Sequence, residues 1–284
     1  MMMSGIFGKL KEKKSEWDKK REEEKVNQTR KMIDKGFEDF KKSLGKQLGK
    51  LGLSLAYAGL SGADAGVRKG GTLIARFNDK EGYPITLVQS QEVYEGTPHG
   101  AMAQIRKIYW PFAIWSTIVQ DSTPFTLLFK EVGRGFMKGS AKVFLPFTSL
   151  PFNEKELLNS PLLQTPVVAA LNSDRDVCDE AAMLSLGCQV DLTYKAWLNV
   201  GCSDIAGTCV IVPAGDETAV FMRNYGTYGE TKAILETMSR IRRHILAYPH
   251  TEKVTGKVPV PWITTVYALS KAKTPEPAEA SNLS

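Results

Sequence analysis

The sequence predicts an α+β protein, with a mainly antiparallel sheet and a few packed helices behind a charged helical N-terminal arm. Three observations carry that class. Apolar residues alternate with others in several short runs, Leu73, Ala75 and Phe77 among them, as half-buried strands require. Elsewhere they recur at steps of three and four, from Ile33 to Leu51 and again from Ile234 to Ile245, which is the period of a one-faced helix. Finally, the strand patterns meander in groups between the helices, an order that favours antiparallel pairing over a parallel α/β sheet.

The arm, residues 1–56, comes first. Residues 1–50 hold fifteen Lys/Arg and nine Asp/Glu, so the net charge of +6 belongs to them and the other 234 residues balance. Met3, Ile6, Phe7, Leu10 and Trp17 share one helical face, with Lys9 and Lys13 among the flanking lysines. Residues 18–31 carry almost nothing apolar, and only side-chain pairs three or four apart support a helix there, so a weak point is expected. A packing seam follows at Ile33, Phe37, Phe40, Leu44 and Leu48. Gly36, Gly45 and Gly49 each cost it about 1 kcal/mol relative to Ala, so the seam must rest on something.

Residues 57–71 turn abruptly to Gly, Ala and Ser and read as a linker, with the globular domain expected over 72–270. In that domain the Asp79-Lys80-Glu81-Gly82 cluster reads as a turn between two strands. One long extended segment is expected over roughly 103–120, then strands around Phe125–Phe129 and Val143–Phe147. Residues 153–187 read as helix interrupted at Pro161 and Pro166, with the best piece starting near Ser173 behind a run of acidic residues. The clearest alternation runs from Val190 to Val200, and two further strands flank the Ala214–Glu217 turn. Thr227 and Glu230 have capping-box spacing before the helix of Ile234 to Ile245. A last strand covers about 260–269, and the Pro- and Glu-bearing tail over 271–284 reads as disordered.

Little of this carries chemistry. Cys178, Cys188, Cys202 and Cys209 are spaced 10, 14 and 7 apart, without the close pairs a zinc site uses, and with no apolar leader they are expected to be reduced thiols. No stretch is a membrane span; Ile108–Gln120 is too short and contains Pro111. His99, His244 and His250 show no metal spacing. The acidic group Asp174, Asp176, Asp179 and Glu180 reads as favourable charge at a helix start. The Gly133–Gly139 run reads as a hairpin connection, and the aromatics Tyr109, Trp110, Phe112, Trp115, Phe125 and Phe129 as core.

No nucleophile, base or metal set gathers, so neither a cofactor nor a metal is expected, and the reading leans away from an enzyme without excluding one that lacks a linear motif. The expectation is a cytoplasmic scaffold or adaptor, peripheral to a membrane in one version. Its amphipathic arm, through Met3, Ile6, Phe7, Leu10, Trp17, Lys9 and Lys13, would dock on an anionic membrane surface or on another helix, by coiled-coil pairing or self-association. A nucleic-acid-associated or virion structural protein is the alternative, weakened by the nine acids in the arm.

Overall fold

The computed structural model describes residues 3–66, 69–96, 105–110, 112–119, 127–133, 140–146, 158–186, 209–214, 217–225, 231–248 and 268. Within them the fold is α+β. Helix α1 (Met3–Lys50) leads into strands β1 (Leu55–Asp64), β2 (Gly70–Asn78), β3 (Pro84–Gly96), β4 (Ile105–Tyr109), β5 (Phe112–Val119), β6 (Leu127–Gly133) and β7 (Ser140–Pro146). A 3-10 turn (Pro161–Gln164), α2 (Pro166–Ser173) and α3 (Arg175–Leu186) precede β8 (Cys209–Ala214), β9 (Glu217–Tyr225) and α4 (Thr231–Ala247). The strands form one antiparallel sheet in the order β1-β2-β3-β5-β9-β8-β6-β7, with β4 also paired to β3.

Strand β3 explains the branch. Its first half pairs with β5, Leu87 opposite Trp115, while its second half pairs with β4, Val93 opposite Ile108. The single extended segment expected over 103–120 is therefore two strands meeting at Trp110, because Pro111 has no N–H to continue a ladder.

The helices cover one face of the sheet. Leu73, Ala75 and Phe77 of β2, Ile85 and Leu87 of β3, and Trp115 of β5 are buried in a common core. Phe40, Leu44 and Leu48 of α1 close it together with Val168 and Leu171 of α2, Val177 of α3, and Ile234, Met238, Ile241 and Ile245 of α4. Each large side chain so buried contributes about 1.5–3 kcal/mol, enough to offset the glycines of the seam.

Two features of the arm differ from the sequence reading. The weak point at 18–31 is absent from the backbone, since α1 runs unbroken through it. Residues 57–71 are no linker either: β1 occupies most of them and β2 begins at Gly70. Small residues are poor strand formers, but β1 takes its register from the apolar β2, with Leu60 opposite Leu73 and Ala58 opposite Ala75. The boundary at 72 consequently falls inside a sheet, and the second half of the arm is part of the core.

Gly36 and Gly52 explain how α1 is seated. A Cβ on Gly36 would lie 2.2 Å from the Gln91 amide nitrogen and 2.7 Å from the end of Ile108. Its absence lets Gln91 Nε2 donate to the Ile33 carbonyl at 3.0 Å. Gly52, at φ +74°, ends the helix. The Leu53 N–H reaches back to the Leu48 carbonyl (2.9 Å) and the Gly52 N–H to that of Gly49 (3.1 Å), a Schellman closure.

Candidate interaction site

From Lys14 to Lys25 every residue of α1 is exposed, over more than three consecutive turns. A helix lying on a surface would bury one stripe in that length, so this stretch stands away from the body. At 1.5 Å per residue the 48-residue helix is about 72 Å long. Burial begins at Thr29 and continues at Ile33, Phe40, Leu44 and Leu48, with Phe37 half-buried against the core. Trp17 is 67% exposed. Sixteen residues separate it from Ile33, roughly 160° of helical rotation, so it lies almost opposite the side that meets the sheet. The side chains of Met3, Ile6, Phe7, Lys9, Leu10 and Lys13 fall outside the described residues.

The exposed stretch also differs in charge from its flanks. Lys14–Lys25 holds five basic and five acidic residues, and Glu22 pairs with Lys25 at 3.6 Å. The positive excess of the arm therefore sits in the first thirteen residues and along the body half of the helix.

At the other end of α1, helix α4 clamps the β2–β3 hairpin. Asp79 Oδ1 accepts from the N–H groups of Glu81 and Tyr83, both at 2.9 Å, and fixes the turn. The Arg242 guanidinium is fully buried, stacked 3.8 Å from the Tyr83 ring centroid, with Nη1 2.7 Å from Asp79 Oδ2. That contact is an ion pair rather than an aligned hydrogen bond. Glu81 accepts from Ser239 Oγ (2.7 Å), Arg242 and Arg243. The Ser239 bond and the two arginines hold its carboxyl down to about 2. The Thr231 hydroxyl bonds the Gln47 side chain and ties the start of α4 to the end of α1.

The acidic group at 174–180 is structural. Asp174 Oδ1 accepts from the Val177 N–H as the N-cap of α3, and Oδ2 lies 2.8 Å from His244 Nε2. Burial raises the Asp174 carboxyl, but the bonds to His244 and to the Val177 N–H, with the nearby charges, outweigh it and hold it below its ordinary value. Asp176 and Glu180 meet Arg240 at 3.5 and 3.4 Å. Among the described residues no group of three His, Cys, Asp or Glu is placed to hold a metal, and no helix is long and apolar enough to cross a membrane.

Cys178 is buried and Cys209 begins β8, while Cys188, Cys202, His99 and His250 lie outside the described residues. So do the Val190–Val200 alternation, the Thr227/Glu230 pair, Phe125, residues 134–139 of the glycine run, the expected strand at 260–269 except residue 268, and the tail. Trp115 and Phe129 are in the core and Trp110 packs on it, with its ring 6.4 Å from Phe40.

The α4 clamp escaped the sequence reading, although a signal was present. Arg242 stands four residues after Met238 and three before Ile245, on the apolar stripe of an amphipathic helix, where a charge needs a buried partner.

No protein-family model, curated protein or solved structure matches this chain.

Proposed function

We propose that this protein is a non-enzymatic cytoplasmic scaffold or adaptor whose projecting N-terminal helix docks on another helix. The observation that carries the reading is the exposed stretch Lys14–Lys25, with Trp17 turned away from the body that anchors the same helix. A large indole held in water on a stiff rod is an unfilled contact, and helix-in-groove or helix–helix pairing is how such a face is used. The balance of five bases and five acids favours a protein helix over a lipid or phosphate surface, which would repel half of those charges.

The test replaces Trp17 with photoreactive benzoylphenylalanine in full-length protein in its native cells. A protein adduct should form on irradiation and disappear when Leu10→Glu is added, while the same probe at exposed Lys42 should give none. Flotation of the protein with phosphatidylserine vesicles, abolished by Trp17→Glu, would instead establish a peripheral membrane role and overturn this reading.

A further inference from the structure

A trough runs along α4, between that helix, the end of α1 and the tip of the β2–β3 hairpin. It consists of two adjoining cavities, of about 360 and about 420 Å³, that share Leu51, Lys232 and Glu236. Both volumes fall within the range of roughly 300–1,000 Å³ found for ligand clefts. On α4 the lining extends from Thr231 to Arg243, a span of about 18 Å at the helical rise, which matches five or six extended residues of a bound peptide.

The floor is apolar, made by Leu51, Leu53 and Leu235. The rim is charged and asymmetric. Lys50, Lys80, Lys232, Arg240 and Arg243 line it, against Asp79, Glu81 and Glu236. Those carboxylates are largely spoken for. Asp79 faces buried Arg242 at 2.7 Å, Glu81 has both oxygens bonded to Ser239, Arg242 and Arg243, and Glu236 lies 3.8 Å from Lys232. Lys50 and Lys80 are exposed and have no ion-pair partner among the described residues. The potential over the trough is therefore positive, above a leucine floor.

We propose that this trough is a second docking site, which takes an extended acidic peptide segment of a partner protein carrying leucine-sized side chains. Apolar side chains seat on Leu51, Leu53 and Leu235, and flanking carboxylates meet Lys50 and Lys80. A nucleic-acid strand fits less well, because the floor is aliphatic and offers no aromatic ring for a base to stack on. The site lies at the opposite end of α1 from Trp17 and stands independently of the role given to the projecting helix.

The test is fluorescence polarisation of full-length protein with a labelled octapeptide bearing two leucines three positions apart among glutamates. Saturable binding is expected. It should weaken at least tenfold when glutamine replaces the glutamates, and at least tenfold in the Lys50→Glu, Lys80→Glu double variant. Both substitutions are at exposed positions, and an unchanged melting temperature verifies folding. The Lys35→Glu, Lys42→Glu double variant, the same charge change at exposed positions on the outer side of α1, should leave the affinity within twofold. Equal affinity for the glutamate and glutamine peptides, undiminished binding by the double variant, or no saturable binding would overturn the proposal. Tighter binding of a single-stranded oligonucleotide would overturn it in favour of a nucleic-acid groove.

Discussion

Between Thr29 and Leu48, α1 buries a residue every three or four positions, whereas between Lys14 and Lys25 it buries none. The two stretches are nonetheless one continuous helix. The difference separates two sources of helical order. The body half is fixed by Phe40, Leu44 and Leu48 in the core and by the Schellman closure at Gly52. Once that half is formed, the nucleation cost is met, and each further turn adds hydrogen bonds for residues that lose little entropy in a helix. Residues 18–25 are nearly all Lys, Arg and Glu, which are good helix formers. A polar run that would melt as an isolated peptide can thus extend from a packed one.

The largest effect on α1 is expected from Leu44→Ala. It should cost about 2–5 kcal/mol in chemical denaturation, because it empties a fully buried site. A loss below 1 kcal/mol would mean that the body half is not part of the cooperative core.

Gly36→Ala comes next, with an expected loss of about 1–3 kcal/mol by the same measurement. The new methyl must displace Gln91 and Ile108, and the gain in helix propensity is smaller than that. Gly45→Ala tests the opposite sign on the same helix. Nothing lies within 4 Å of its added Cβ, so stability should rise by up to about 1 kcal/mol. If both substitutions move stability the same way, the close approach at Gly36 is wrong.

A smaller effect belongs to the clamp beside the end of α1. The Glu81 carboxyl falls from 4.5 to about 2 on folding, so its contribution is present in full above pH 4.5 and is lost as pH drops through that interval. Glu81→Gln should flatten the acid limb of the stability curve between those values and change its shape little above them. The smallest effect is expected in the projecting half, where Trp17→Ala should leave global stability within about 0.5 kcal/mol. A large loss there would place Trp17 in the fold rather than at a partner's surface.

Local periodicity made much of this architecture readable. The seam from Ile33 to Leu48, the alternation around Leu73–Phe77, the Asp79–Gly82 turn and the hairpin at Ala214–Glu217 each record a short-range rule of pleat, pitch or turn. Features that depend on neighbours distant in sequence were not readable. β1 is a strand because β2 lies beside it, and its small residues say nothing of that. The order β5-β9-β8-β6-β7 follows from which faces could close one core, and the trough exists only where α1, α4 and a hairpin tip converge. Trp17 was legible as part of an apolar stripe with Met3, Ile6, Phe7 and Leu10, but its rotation away from the body required knowing which side of α1 meets the sheet.

Asn172 has a consequence for how molecules of this protein meet one another. Its amide accepts from the Phe144 N–H at 2.6 Å and donates to the Phe144 carbonyl at 3.1 Å, so one side chain takes the place of a strand neighbour on β7, the last strand of the sheet among the described residues. At the opposite margin the β1–β2 ladder is interrupted twice, between Leu55 and Tyr57 and between Ser61 and Asp64, which twists that margin out of alignment with any incoming chain. At these two margins an incoming strand would therefore meet main-chain groups of Phe144 already bonded on one side and an irregular ladder on the other.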